Sequence, residues 1–171
     1  MILRFTLSTW GFYYMTTAIV KLLELNNVLL NINAESAVDV ITKLGNELFK
    51  TGYVKETFVD AAIAREKKMP TGLPLLGGIN AAIPHTDIEH VLKPGLAIAT
   101  LNKDVIFQNM ANPGEKVAVR LVFLLALEQP KAQIEMLQEI AKVLQNPNVI
   151  KKMINAKNYN SIIKALEEGS Y

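Results

Sequence analysis

The chain contains no cysteine in its 171 residues. Disulfides and thiolate metal sites are therefore excluded, and a reducing compartment, the cytoplasm, is the expected location. Histidine is nearly as scarce, with only His85 and His90 present. Charge is sparse and mixed: 20% of residues are charged, the net charge is +2, and no long run of one sign occurs. Nucleic-acid binding would call for a basic stripe or a helix crowded with Lys and Arg. The C-terminal lysines Lys151, Lys152, Lys157 and Lys164 are instead dispersed among apolar and acidic residues and read as solvated faces, so no nucleic acid is expected. The phosphate loop G-x-x-x-x-G-K, the dinucleotide loop G-x-G-x-x-G and any serine–acid or cysteine arrangement of a hydrolase are also missing. Nucleotide-binding and hydrolytic machinery is thus not visible.

The N-terminus is apolar and aromatic from Met1 to Met15, carrying Arg4 and the only tryptophan, Trp10. Ser8, Thr9, Gly11, Thr16 and Thr17 interrupt the run, and Lys21 and Glu24 end it short of the roughly 20 apolar residues a membrane span needs. A secretory signal would show a basic start and a small-residue cleavage site, and neither stands out. Residues 1–14 are expected to be extra to the fold, with Met15 the natural start and residues 15–171 one domain.

Periodicity predicts a helix over residues 33–52, capped by Asn33, with Ala37, Val40, Ile41, Leu44 and Leu48 on one face and Gly52 as its stop. A second helix is expected over 56–68, with Phe58, Val59, Ala62 and Ile63 apolar. Pro70, Gly72, Pro74, Gly77 and Gly78 then mark a loop that leads into a short strand over 79–83. Residues 96–101 and 117–127 read as strands, the second apolar almost throughout and so central in a sheet. A further short strand is expected over 103–107. Pro130 can open a helix whose buried stripe is Ile134, Leu137, Ile140, Ala141 and Leu144. Helical patterns over 147–154 and 158–168 complete the chain. Helices, then strands, then helices imply an α/β fold: a single-domain sandwich with a mixed central sheet flanked by helices.

The stretch with most chemistry in it is Ala82-Ile83-Pro84-His85-Thr86-Asp87, followed by His90. Proline fixes φ near −65° and has no N–H, so it sets the chain direction into His85, at the end of a strand where α/β proteins present functional groups. His85, Asp87 and His90 form the one candidate metal cluster, but their spacing matches no helical i, i+4 pair of ligands. No metal and no cofactor is expected. What remains is a lone imidazole as nucleophile, the requirement of a phosphohistidine carrier.

Three pieces occur in order: Ala64-Arg65-Glu66-Lys67, Pro70-Thr71-Gly72 and Ala82-Ile83-Pro84-His85. With them, residues from about 28 to 168 resemble the IIA component of the phosphoenolpyruvate-dependent sugar phosphotransferase system, in the fructose/mannitol superfamily. Pro-Thr-Gly after the arginine, Thr86-Asp87 and Glu89-His90-Val91 are most similar to the galactitol-type branch. The resemblance implies a type-2 phosphotransferase in which phospho-HPr donates a phosphoryl group to His85. His85 then passes it to the cysteine of a IIB protein or domain, with only indirect membrane association through a IIC component. It implies that Nε2 is the phosphorylated atom and that Arg65 balances the phosphate charge. Thr86 is expected to offer a hydroxyl or backbone N–H to the phosphate. Asp87 is either a turn former or a site-orienting carboxylate, and His90 either a surface residue or a second orienting group. Where mannitol-type members carry a second histidine, this chain has Gln129-Pro130-Lys131-Ala132-Gln133, and Gln133 is the expected equivalent, able to donate a hydrogen bond but not to become an imidazolium. A regulatory phosphohistidine sensor of the same superfamily is the alternative.

Overall fold

A computed structural model describes residues 17–169. In chain order the elements are α1 (Ala18–Lys21), β1 (Leu23–Ile32), α2 (Ala37–Lys50), α3 (Phe58–Lys68), β2 (Gly72–Leu73), β3 (Asn80–Ala82), a 3-10 turn (Ile88–His90), β4 (Gly95–Gln108), β5 (Lys116–Ala126), α4 (Pro130–Leu144), α5 (Pro147–Ile154) and α6 (Tyr159–Gly169). The strands form one mixed sheet ordered β1-β4-β5-β3-β2. β1 runs parallel to β4 and β3 parallel to β5, while β4–β5 and β2–β3 are antiparallel. This is the mixed, helix-flanked sheet that the element order implied.

The near-continuous apolar run of β5 follows from burial on both of its faces. Leu121, Phe123 and Leu125 pack into one core with Met136, Ile140 and Val143 of α4, Val149, Ile150 and Met153 of α5, and Ile162 and Leu166 of α6. Val122, Leu124 and Ala126 point the opposite way, into a second core with Val40, Ile41, Leu44 and Leu48 of α2 and Phe58 and Ala62 of α3. Gly45 lets α2 and α3 meet closely, since a Cβ there would lie 2.7 Å from Val59 Cγ2. The expected domain start at residue 15, and the segment 1–14 with it, lie outside the described residues.

Three local expectations change, and one strand, β1, was not expected at all. Ser36, not Asn33, caps α2: its hydroxyl accepts from the Asp39 N–H at 3.1 Å, while Asn33 accepts from the Asn102 amide. The expected strands over 96–101 and 103–107 are a single strand, β4. Its pairing with β5 slips between Thr100 and Val105, which leaves Asn102, Lys103 and Asp104 exposed. Arg120 Nε donates to the Leu101 carbonyl at that slip, 2.7 Å away. A polar triplet there reads as the end of a strand, whereas it is a bulge within one.

In α4 the buried residues are Met136, Ile140, Val143 and Leu144. Ile134 and Leu137 are 58% and 37% exposed and Ala141 is exposed too, so the helix is turned from the expected stripe. Finally, β1 carries no alternating pattern because it is an edge strand with register shifts between Leu23 and Val28 and between Leu29 and Ile32. The four C-terminal lysines are exposed, as expected, but all line one cleft between α5 and α6.

Candidate functional site

β3 ends at Ala82, and the chain continues extended beside β5, where the Leu125 N–H donates to the Pro84 carbonyl at 3.0 Å. His85 forms an isolated parallel bridge with Leu125, so it lies three residues beyond the end of β3 and still beside β5. It is partly buried and lines a depression of about 30 Å³ together with Thr86, Leu125, Leu127 and Leu137. Thr86 is buried, at 6% exposure.

The ring's orientation follows from one bond: His85 Nδ1 lies 3.0 Å from the carbonyl oxygen of Ile83. A carbonyl only accepts, so Nδ1 carries the proton and the lone pair of the neutral ring resides on Nε2. Burial lowers the imidazole pKa below its ordinary value, and the nearby Arg65 charge lowers it further; the Ile83 bond and Asp87 act the other way. The ring is therefore poised as a neutral nucleophile near pH 7.

Arg65 stands in the last turn of α3 and donates through Nη1 to Asp87 Oδ1 at 3.0 Å, joining two of the residues marked out in the sequence. The Arg65 side chain is 28% exposed and that of Asp87 73%. Arg65 Nε is a buried donor without a partner. Asp87 faces the guanidinium, and its carboxylate acts to raise the His85 pKa.

His90 is arranged differently. Its Nδ1 pairs with the Thr57 hydroxyl at 2.9 Å and its Nε2 with Glu89 Oε1 at 3.3 Å. None of these partners lines the His85 depression. Gln133 falls near the start of α4, one turn before Leu137; its side chain is outside what is described.

Sequence reasoning gave no role to Glu66 or Thr71, though both stand in the quoted motifs. Glu66 is 9% exposed and Thr71 2%. The Glu66 carboxylate accepts from the Thr71 N–H at 2.9 Å and from its hydroxyl at 2.7 Å. A glutamate at the charged end of a helix looks solvated in a one-dimensional reading, and only the return of the loop buries it. Leu137 was also missed as a site residue, because its apolar character was assigned to the core.

Comparison with known proteins agrees with this geometry. The family described as phosphoenolpyruvate-dependent sugar phosphotransferase system, EIIA 2, matches residues 21–169. The galactitol-specific EIIA component of Escherichia coli K12 is 34% identical over 116 residues, covering 68% of this chain and 76% of that protein. The mannitol-specific EIICBA component of Vibrio cholerae is 29% identical over 147 residues, which is 84% of this chain and 21% of that much longer protein. Among solved structures, IIA mannitol from E. coli superposes with a TM-score of 0.70 at 27% identity, over 84% of this chain and 98% of that one. The complex of E. coli enzyme IIAMTL with phosphorylated enzyme IIBMTL gives 0.70 at 26% identity, over 85% and 97%. The chain belongs to the EIIA 2 family of the sugar phosphotransferase system and is a phosphotransferase component of that type.

Proposed function

We propose that His85 is the phosphoryl acceptor, charged by phospho-HPr and discharged to the cysteine of a IIB protein or domain, in the uptake of galactitol or a related polyol. The observation that carries this is the ring itself: Nδ1 is tied to the Ile83 carbonyl, which leaves the lone pair on Nε2, in a residue that lines a depression and feels the Arg65 charge. The Nε2 lone pair attacks phosphorus in line; the new N–P bond forms as the donor's N–P bond breaks, and the donor imidazole leaves. The His85 ring is cationic while it carries the phosphoryl group, with its Nδ1 proton held by Ile83. Attack by a IIB thiolate then forms the S–P bond, breaks N–P and returns His85 to neutrality without any proton transfer.

Such a loose transition state asks for alignment and for charge on the equatorial oxygens to be balanced. Arg65 supplies the cation, Asp87 aims it, and Thr86 is placed to donate a hydroxyl or N–H. Partner docking is supported by exposed apolar residues in and beside the depression, Leu137 of α4 and Ile88, 37% and 49% exposed. The galactitol assignment rests on the E. coli K12 relative and the Pro70-Thr71-Gly72 motif. The IIB partner has its counterpart in the mannitol complex.

The test is labelling with radioactive phosphoenolpyruvate, enzyme I and HPr. One acid-labile phosphate per chain is expected, lost in His85→Ala and kept in His90→Ala; equal loss in both variants rejects His85 as acceptor. Chase onto a galactitol IIB in preference to a mannitol IIB is the expected specificity, and the reverse preference rejects the galactitol assignment.

A further inference from the structure

We infer that Glu66, through Thr71, is a positioning residue for phosphoryl transfer: a buried clamp that sets the tautomer and aim of His85. The inference rests on His85 being the acceptor. Its geometry is a continuous chain of hydrogen bonds. Glu66 Oε1 and Oε2 hold the Thr71 N–H and hydroxyl at 2.9 and 2.7 Å. The Thr71 carbonyl accepts from the Ile83 N–H at 3.3 Å, and the Ile83 carbonyl accepts from His85 Nδ1 at 3.0 Å. Four residues thus connect the end of α3 to the reacting ring.

Why the clamp is needed follows from the backbone. Pro84 has no N–H, so between Ala82 and His85 the single main-chain donor is that of Ile83, and Thr71 takes it. On the N-terminal side of Thr71, Pro70 donates nothing, while on the other side the two residues of β2 pair with β3 and the Gly72 carbonyl accepts from the Met110 N–H at 2.8 Å. Gly72 must stay bare, because a Cβ there would lie 2.5 Å from the Gln108 carbonyl oxygen. Glu66 is acceptor-only when ionised and satisfies both Thr71 donors at once. Burial raises its pKa while the two Thr71 bonds lower it, so the carboxylate is held in an unfavourable place by the very contacts that order the loop.

Without Glu66 the two Thr71 donors are orphaned, the Thr71 carbonyl loses its fixed position, and the Ile83–Pro84 peptide can turn. His85 Nδ1 then lacks a committed acceptor, and the ring samples the Nε2–H tautomer, which has no lone pair where attack occurs. The test compares Glu66→Ala, Glu66→Gln and Thr71→Val in the full chain. Phosphorylation at saturating phospho-HPr is read beside the 15N shifts of the His85 imidazole above its titration. Glu66→Ala is expected to lower kcat by about tenfold or more with KM little changed, since small misplacements of reacting groups cost this much, and to mix the tautomers. Glu66→Gln can accept from the Thr71 N–H and donate to its hydroxyl, and should restore both readouts to within about threefold. Thr71→Val keeps the shape and the N–H bond, so it reports a smaller change in the same direction even if Glu66→Ala does not fold. A wild-type tautomer in Thr71→Val, or in a folded Glu66→Ala variant whose kcat is unchanged, overturns the clamp. Failure of the wild type to be labelled at His85 instead overturns the carrier reading, and the 15N shifts still decide whether Glu66 sets the tautomer.

Discussion

The two histidines stand five residues apart in the chain and differ in almost every physical respect. His85 follows a strand end, has one ring nitrogen bound to a main-chain carbonyl, and lines a depression walled by leucines. His90 ends a 3-10 turn, with Nδ1 hydrogen-bonded to the Thr57 hydroxyl and Nε2 3.3 Å from Glu89 Oε1. An imidazole acts as a nucleophile only through a free lone pair, so occupancy rather than accessibility separates them: both are partly exposed. The lesson is that a reactive histidine here is made by what it is not bonded to.

The largest effect that could break this contrast is in labelling: His85→Ala should abolish the phosphohistidine and His90→Ala should leave it near the wild-type level. Next comes the Arg65 charge that acts on His85. Arg65→Ala should slow transfer to IIB by about a hundredfold, as loss of one charge-stabilising donor does in other active sites. Arg65→Lys should recover only part of the loss, because the planar fork that pairs with Asp87 is missing. An unchanged rate in Arg65→Ala, measured by rapid quench, would remove Arg65 from the machinery.

The pH behaviour sharpens the comparison further. Burial, then Arg65, depresses the His85 pKa below the ordinary imidazole value of about 6.5. The ring stays neutral, and competent to accept phosphate, as pH falls past that value, and an NMR titration should place its midpoint below 6.5. Between the folded and unfolded pKa values the unfolded chain binds the extra proton, so the ring's contribution to stability is present above the unfolded value and lost as pH falls through the folded one. Arg65→Ala frees Asp87 as well, so both changes should move the midpoint up; a downward move would contradict the charge assignment.

A packing change ranks below these. Gly72→Ala should destabilise by about 1–3 kcal/mol, as overpacking does, because its Cβ meets the Gln108 carbonyl; denaturant unfolding measures it. Smallest is Thr57→Ala, which removes the partner of His90 Nδ1 and should cost about 1 kcal/mol or less while leaving His85 labelling untouched. Lost labelling in that variant would mean the two histidines are coupled after all.

Much of this was legible in one dimension. The face of α2, the end of that helix at Gly52 with φ of +77° and the central place of β5 all follow from local spacing and local sterics, whereas the chain through Pro84-His85 runs extended beside β5 rather than turning. The site was legible in part: His85, Arg65, Thr86 and Asp87 were marked out, and Arg65 with Asp87 proves to be an ion pair across 22 positions. Glu66 was given no role and Leu137 was placed in a buried stripe, for opposite reasons. A carboxylate next to lysines looks solvated but is buried by the returning Thr71 loop, and a leucine on a helical stripe looks buried but lies outside the core that Met136 and Val143 occupy. The bulge at residues 102–104 hid the unity of β4, and an edge strand with irregular pairing left β1 without an alternating signature.

By itself the sequence determined the buried face of α2 and the central apolar strand, because 3.6-residue periodicity and continuous apolar runs act between near neighbours. Only the tertiary structure decided which ring nitrogen is free, which carboxylate is buried and which leucine faces outward. Those outcomes turn on contacts short in sequence, His85 with Ile83 and Glu66 with Thr71, that form only where the sheet and the returning loop fix the backbone, so that burial and the satisfaction of each polar group are settled together.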